Sequence, residues 1–342
     1  MPRFTIIIPA YNAAATLPLA ARSVLSQTFT DLELIIVDDG STDATPALCD
    51  EIGRADSRVR VMHGTNIGQG LSRNRALDVA QGEYVGFLDA DDFFATDALE
   101  WVDNVLQREN PDAVRFMFRM FRGTEPELGP SGWDPDDYTV IRGQDAVLPL
   151  IEAVTPTGLR NLPESAASAC TGMYRRALIE EHSVRFLSER EVLSEDCIFN
   201  IDFLTHAAVT VYTPAAFYHY RQTPGSWSHR MNHSRLEQAA DFARYYTERL
   251  QALGIGYAGF RAGAFLIGEM RSYAKSVFAA RLPHSRKRQL YFGMLDVPVV
   301  KDLLPRFPVR RLPVQQRLAL SLLIHRQYLL SRALYGLRNL RP

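Results

Sequence analysis

Three carboxylates fall within four residues of the stretch EYVGFLDADDFF (83–94): Asp89, Asp91 and Asp92. Like charges this close raise one another's proton affinity and oppose folding. A chain that keeps them after an apolar run either solvates them in a loop that caps the next helix or gathers them around a cation. Asp89 and Asp91 are two residues apart, and in extended chain such side chains point the same way. Hard oxygen ligands at that spacing suit Mg2+ or Mn2+, which keep several waters and bridge to substrate phosphates. On these residues alone the cation and the solvated loop are evenly balanced.

Two other stretches favour the cation. NIGQGLSRNR (66–75) sets Gly68 and Gly70 before a helix whose first turns carry Arg73 and Arg75. A helix N-terminus with arginine receives phosphate well. The glycine spacing is not the dinucleotide fingerprint, and Arg73 by itself is more often a solvated surface charge. VDDGSTD (37–43) adds acceptors. An acid after a strand can accept from a ribose hydroxyl or a base N–H, while Ser41 or Asp43 can simply cap the following helix.

These stretches must be brought together by regular elements. FTIIIPA, LELIIVDDG, RVRVM, EYVGFL and AVRFMF read as strands. Between them, Ala14–Ser26, the run after Thr45–Pro46, QGLSRNRALDVAQG and DALEWVDNVLQREN read as helices, with Thr45 and Thr96 as N-caps and Gly82 closing the third. Strict β-α alternation predicts a mostly parallel sheet with helices on both faces. Ligands of such sheets sit beyond the carboxyl ends of the strands. There the chain reads PAYN (9–12), DDGSTD (38–43), HGTNIGQG (63–70) and DADD (89–92). Residues 123–165 are rich in Gly, Pro and acids and read as an excursion. Structure resumes over Ala169–Phe186, with a helix from Glu195 to His206. VTVYTPAAFYHYRQ reads as a strand pair or a bent strand, and helix runs from Ser234 onward, interrupted near Pro298–Pro313.

The chain of 342 residues has a formal net charge of −1, but the charge is uneven. Residues 281–342 hold 13 lysines and arginines against Asp296 and Asp302, a formal +11, which leaves −12 on residues 1–280. A basic tail on an acidic body predicts an anionic partner for the tail. Nucleic acid is disfavoured, because the body repels a phosphate backbone. Three widely spaced cysteines (Cys49, Cys170, Cys197) form neither a disulfide framework nor a zinc pattern, which predicts a reducing compartment. The opening MPRFTIIIPAYN is too short an apolar run for a secretory signal, and no apolar run is long enough to span a bilayer. A cytoplasmic protein is expected.

TIIIPAYNAAATLPLAARSVLSQTFTDLELIIVDDGSTD followed by NIGQGLSRNRALDVAQGEYVGFLDADD resembles the nucleotide-sugar half of the family 2 glycosyltransferases with the GT-A fold, over about residues 4–120. LSEDCIFNIDFLTHAAVTVYTPAAFYHYRQTPGSWS, within 169–230, is more weakly similar to the acceptor half of bacterial members that build cell-surface glycans, while 123–165 matches nothing. The resemblance implies a GT-A catalytic domain over 1–230, divided near 120, and a helical, basic region over 231–342. It implies that Pro9 and Tyr11 line the nucleotide pocket and that Asp39 accepts from uracil or ribose. Asn66 and Arg73 then reach the nucleotide and diphosphate, Asp89 the ribose or metal, and Asp91 the divalent ion, Mn2+ or Mg2+. In SEDC, Asp196 is the general base with Glu195 beside it; the plain alternative is that Asp196 caps its helix. His219, Arg221 and His229 are further candidates for metal or phosphate, although each histidine reads more readily as structural.

The implied reaction moves a hexose or N-acetylhexosamine from a UDP-sugar to a hydroxyl of a glycan or lipid-linked acceptor. The leaving diphosphate develops negative charge, which metal and arginine stabilise more in the transition state than in the ground state. A single carboxylate base gives single displacement and inversion. Two rivals stand beside this reading. One is a phosphohydrolase with an aspartyl nucleophile, although its Asp-x-Asp pair usually ends the first strand rather than the fourth. The other is a non-catalytic nucleotide-sugar or glycan-binding module. In the tail, Arg317–Arg338 read as one helix gathers Leu318, Leu322, Leu329, Leu330, Ala333 and Leu337 on one face, opposite Arg317, Ser321, His325 and Arg332. That pattern predicts a helix lying on anionic lipid at the inner face of the plasma membrane, or one packed into the fold with its basic face in water.

Overall fold

The apolar runs of the first 90 residues become the centre of one sheet. Strands β1 (Phe4–Ala10) and β2 (Leu32–Asp38) are buried at every position, as expected of parallel strands covered on both faces. A computed structural model describes residues 1–122, 127–154, 167–222, 234–311 and 314–338. The remaining strands are β3 (Val59–His63), β4 (Tyr84–Phe87), β5 (Phe93–Phe94), β6 (Ala113–Arg115), β7 (Phe118–Phe121), β8 (Thr139–Arg142), β9 (Gly172–Arg175), β10 (Val209–Tyr212) and β11 (Tyr218–Arg221). The main sheet has the order β3-β2-β1-β4-β9-β6-β10-β8. Pairs β3–β2, β2–β1, β1–β4 and β6–β10 are parallel, while β9 and β8 run against their neighbours. A second sheet has the order β5-β11-β7.

The chain runs outward from β1 through β2 to β3 and then crosses to β4 on the other side of β1. Strand order therefore reverses at β1, where the carboxyl ends of β2, β1 and β4 lie side by side. Helices α1 (Leu17–Leu25), α2 (Thr45–Ala55), α3 (Gln69–Leu77) and α4 (Ala98–Glu109) follow these strands, with α5 (Leu148–Val154), α6 (Arg176–Glu181) and α7 (Glu195–His206) later in the chain.

Local expectations fail in informative places. Thr45 is the first residue of α2 rather than its cap, because its hydroxyl accepts from Ala13 N at 2.8 Å. Helix α4 starts at Ala98, two residues after Thr96, and α3 ends at Leu77, well before Gly82. AVRFMF is divided between β6 and β7, and VTVYTPAAFYHYRQ between β10 and β11, so that each run passes from one sheet to the other. The two crossings are bonded together, with Met117 N donating to Ala215 O at 2.8 Å.

The chain divides into two compact units, 1–190 with 194–224, and 191–193 with 225–342. The boundary expected at residue 230 lies outside the described residues. The second unit is helical: α8 (Ser234–Ala252), α9 (Ala258–Ala279), α10 (His284–Asp296), α11 (Pro298–Arg306), α12 (Val314–Ile324) and α13 (Tyr328–Arg338). The tail read as one helix is two, broken where Arg326 takes a left-handed φ of 54°. Leu320, Leu323 and Tyr328 enter this unit's core. Leu318, Leu329 and Leu330 of the expected apolar face stay 57%, 69% and 56% exposed. Among the described residues, no helix is long and apolar enough to cross a membrane.

Candidate active site

The loops after β1 and β2 are stitched to each other. Asn12 N donates to Ser41 Oγ at 3.0 Å, Thr42 N to Asn12 Oδ1 at 2.8 Å, and Ala14 N to Asp43 Oδ2 at 3.2 Å. Asp38 accepts from Ser41 N at 3.0 Å and pairs with His63 Nδ1 at 3.0 Å, while His63 Nε2 meets Asp50 at 3.0 Å. Hydrogen bonds to Asp38 and then Asp50 raise the His63 pKa. Burial pushes the Asp38 carboxyl up, but bonds from His63 and Ser41 outweigh it and hold the group below its ordinary value. Pro9 is buried at the end of β1, and Tyr11 beside it is 51% exposed.

Asp39 is 3% exposed and faces the chain itself. Its carboxylate accepts from Ile67 N at 2.9 Å, Gly68 N at 2.8 Å and Ser72 Oγ at 2.9 Å, fixing the turn that enters α3. The base or ribose contact implied for Asp39 therefore competes with three internal donors. Gly40, at φ +75°, lets the two loops close: a Cβ there would sit 2.7 Å from Asn66 N. The start of α3, expected to face phosphate, is already met by a carboxylate of the chain. Glu189 accepts from Gln69 N and Gly70 N at 3.2 Å each, and Gly68, at φ +100°, leaves room for it. Asn66, expected to reach the nucleotide, has its carbonyl oxygen 3.2 Å from Arg190 Nη2 and its side chain bonded to the same group.

Arg73 is the centre of the acidic cluster rather than an outward arm. It is 1% exposed. Its Nη2 donates to Asp89 Oδ1 at 2.6 Å, and its Nη1 reaches Asp196 Oδ1 at 3.1 Å and Glu195 Oε1 at 3.5 Å. The guanidinium lies 5.2 Å from the centre of the Phe186 ring. Burial opposes its charge, but Asp196 foremost among its neighbours keeps it charged. An arginine so committed stands under the site, so the diphosphate contact implied for it is not one its buried position offers directly. Burial, then Asp196, pushes the Glu195 carboxyl up to about 8, with Gln69 Nε2 donating to it at 2.9 Å.

Asp196 does not cap α7. Its Oδ2 accepts from Ala169 N at 3.1 Å and Ser168 Oγ at 3.3 Å, with no side-chain cap bond at this helix start. Its side chain keeps 21% exposure. Burial raises its proton affinity and Arg73 opposes the rise. A helix N-terminus alone predicts an acid held ionised; desolvation here moves it the other way, toward the proton affinity a general base needs.

The three acids after β4 part company. Asp89, 32% exposed, takes Arg73. Asp92 is 1% exposed and turned inward, accepting from Tyr218 OH at 2.5 Å and Arg221 N at 2.7 Å; burial, then Asp89 and Asp91, pushes it up to about 9. Asp91 receives no side-chain hydrogen bond among the described residues, and burial, then Asp89, pushes it up to about 6. A half-buried carboxylate with no side-chain donor among the described residues, beside a second carboxylate, suits a hard divalent cation that draws its other ligands from water and phosphate. Among the described residues no group of three His, Cys, Asp or Glu could enclose a metal alone. His219 stacks on Phe93 at 4.5 Å and burial lowers its pKa, the behaviour of a structural imidazole. Arg221 Nε donates to Asp91 O at 2.8 Å. His229 lies outside the described residues.

Residues that sequence reading passed over complete the cluster: Ser168 and Ala169 on Asp196, Glu189 on α3, and Cys170, whose Sγ is 3.6 Å from Asp89 Oδ1. Glu189 and Cys170 lie 120 and 81 residues from the groups they meet, Ser168 and Ala169 lie 28 and 27 residues from Asp196, and no local pattern marks any of them.

The sequence pattern of glycosyl transferase family 2 matches residues 5–183. With that match over more than half of its length, the chain belongs to this family. Two similar relatives are EpsH of Bacillus subtilis strain 168, 28% identical over 221 residues, and YibD of Escherichia coli K12, 27% identical over 269, both named as glycosyltransferases. The matches cover 64% and 75% of this chain and 61% and 72% of those proteins. Among solved structures, TarS 1–349 of S. aureus in complex with UDP-GlcNAc superposes with a TM-score of 0.66 at 19% identity, covering 98% of this chain and 91% of that one. The mannosyltransferase PcManGT of Pyrobaculum calidifontis, in complex with GDP-Man and Mn2+, gives 0.51 at 18% identity, covering 99% and 88%. The fold is GT-A.

Proposed function

We propose that the chain transfers a sugar from a nucleoside-diphosphate sugar, a UDP-sugar first among them, to a hydroxyl of a glycan or lipid-linked acceptor, with inversion. The observation that carries this reading is one guanidinium shared by donor-side and acceptor-side acids: Arg73 reaches Asp89 at 2.6 Å and Asp196 at 3.1 Å. Asp91, with Asp89 beside it, would hold Mn2+ or Mg2+. When bound, that ion neutralises the charge developing on the leaving diphosphate. The chain's own residues do the rest. Exposed Tyr11, next to Pro9, offers a face to the base, and Asp39 and Asn66 shape the pocket wall. Asp196 takes the proton of the attacking hydroxyl, and Arg73 sets its spacing from Asp89. TarS with UDP-GlcNAc and PcManGT with GDP-Man and Mn2+ support the donor class and the ion by analogy.

The test is release of UDP from UDP-sugars with Mn2+, with and without chelator, in the presence of glycan acceptors. Release that ignores the chelator removes the metal from the reading, and no release from any nucleotide-sugar favours the binding module. Asp196→Asn should lower kcat by about 10²–10⁴-fold with UDP affinity unchanged; near-normal turnover would remove the base assignment.

The same reading places the protein in the cytoplasm, peripheral on an anionic membrane, serving cell-surface polysaccharide. Support comes from the second unit. Leu329 and Leu330 are exposed on the helix that carries Arg332, and Arg332 Nη1 lies 3.2 Å from His284 at the start of α10, where Arg286 and Arg288 are also exposed. Apolar side chains among arginines suit an anionic bilayer. Deleting the tail would remove the core residues Leu320, Leu323 and Tyr328, so the sharper variant is Leu329→Ser with Leu330→Ser. Wild type should co-sediment with anionic vesicles, weakly with neutral ones and less in high salt, and the variant should sediment less. Equal binding of both proteins would place the contact elsewhere.

A further inference from the structure

Asp92 is turned away from the other two acids, and both of its carboxylate oxygens are taken up by β11. Its Oδ2 accepts from Tyr218 OH at 2.5 Å and its Oδ1 from Arg221 N at 2.7 Å. The Tyr218 hydroxyl also accepts from Asp89 N at 3.3 Å, and Arg221 Nε donates to Asp91 O at 2.8 Å. Asp92 N closes the turn on Asp89 O at 3.1 Å. All three residues of the Asp89–Asp92 turn that carry carboxylates are therefore bonded to one short strand, β11. That strand is anchored independently. It pairs with β5, Tyr218 opposite Phe94 and His219 opposite Phe93, and with β7 along its length. Tyr218 is 2% exposed and packs edge-on against Phe94 at 5.7 Å.

We infer that Tyr218 and Asp92 are positioning residues that hold Asp89 and Asp91 at cation-binding spacing, with β11 as the rigid support. The inference rests on the proposed assignment of Asp89 and Asp91 to the cation. Two carboxylates brought together against their own repulsion stay there only if the backbone beneath them is fixed. The main-chain groups of Asp89 and Asp91 are fixed through side chains of β11, and Asp92 is the joint. A turn held only by its own Asp92 N to Asp89 O bond would let the two acids separate. Neither Tyr218 nor Asp92 touches the reacting atoms, so their effect falls on metal affinity before it falls on chemistry.

The experiment measures Mn2+ binding by loss of the free-ion paramagnetic resonance signal, with and without UDP, alongside thermal melting. Tyr218→Phe removes both hydroxyl contacts and keeps the ring. It should weaken Mn2+ binding about tenfold while the far-UV dichroism spectrum is retained. Asp92→Asn keeps an acceptor for Arg221 N and a polar group for Tyr218 OH, so it should bind Mn2+ within about threefold of wild type. Asp92→Leu, which can do neither, should resemble Tyr218→Phe. Native Mn2+ affinity in folded Tyr218→Phe overturns the inference. If Tyr218→Phe does not fold, native affinity in Asp92→Leu overturns it, and a loss there that Asp92→Asn does not share sustains it. If wild type itself binds no Mn2+ with UDP, the metal assignment fails first, and the two failures are distinguished.

Discussion

Strand β1 has an acidic loop on either side of it, and the two loops use the same residue type in opposite ways. After β2, Asp38 and Asp39 accept from Ser41, Ile67, Gly68 and Ser72, and Asp38 also pairs with His63. Those carboxylates organise chain that would otherwise be loop. After β4, Asp92 is organised in the same manner, but Asp91 has no side-chain donor among the described residues, its pKa pushed up to about 6. On the proposed reading, the acid left without a side-chain donor is the one that meets the cation. Carboxylate count at a sheet edge is therefore a poor guide to function, and donor count around each carboxylate is a better one.

The comparison breaks most directly by making the two loops alike. Asp91→Asn removes the unsatisfied charge while keeping its shape. Turnover should fall by about 10²–10³-fold, the scale of losing one electrostatic stabiliser of a transition state, and Mn2+-dependent UDP binding should weaken. The apo fold should melt at the same temperature or slightly higher. Unchanged UDP affinity in Mn2+ titrations would remove Asp91 from the metal site. Asp39→Asn should behave in the reverse order. Ile67 N and Gly68 N donate to different oxygens of Asp39, so an amide there sets an NH2 against one of the two N–H groups, a buried mismatch worth about 1–3 kcal/mol. Stability should drop first, and turnover should fall less than in Asp91→Asn. If Asp39→Asn melts like wild type yet loses UDP affinity, the direct nucleotide contact implied for Asp39 is correct.

The strands around β1 were legible because β-branched runs and strict alternation admit few other folds, and the four strand-end motifs follow from them. The cluster itself was legible only as a set of residue types. Arg73 looked like an outward phosphate ligand because its helix position carries no sign of burial; it is Asp196 and Glu195, more than 120 residues later, that turn it into an internal counter-ion. The same distance hid Glu189, which takes the helix start that glycine spacing assigns to phosphate. Asp92 could not be told from Asp91 by sequence, since the difference lies in which of two adjacent side chains meets Tyr218 of β11. In the tail, two apolar stripes overlap on α12 and α13, and a helical pattern cannot say which one the core takes. The structure buries Leu320 and Leu323 and leaves Leu318 outside.

The smallest expected effect is the pH dependence of stability, and it separates the loops by sign. Asp92, Glu195 and Asp91 have pKa values pushed up to about 9, 8 and 6. An acid whose pKa is higher folded than unfolded binds more protons in the folded chain, so stability falls as pH rises from about 4 through the folded value. Asp38, held below its ordinary value, contributes with the opposite sign, and its stabilisation is lost only as pH falls through the folded pKa. Above neutral pH the Asp38 contribution no longer changes, and His63, with its raised pKa, reinforces the downward trend. The apo protein should therefore melt lower at pH 9 than at pH 7. Asp92→Asn, which cannot deprotonate, should shrink that difference by roughly 2 °C. Asp91→Asn should shrink it less between pH 7 and 9 and more between pH 5 and 7, because its titration lies lower. Mn2+ with UDP should flatten the lower part of the curve, since a bound cation replaces the proton on Asp91. Parallel melting curves for wild type and Asp92→Asn across pH 7–9 would mean that Asp92 is ionised inside the fold, and the division of labour between the two adjacent acids would have to be redrawn.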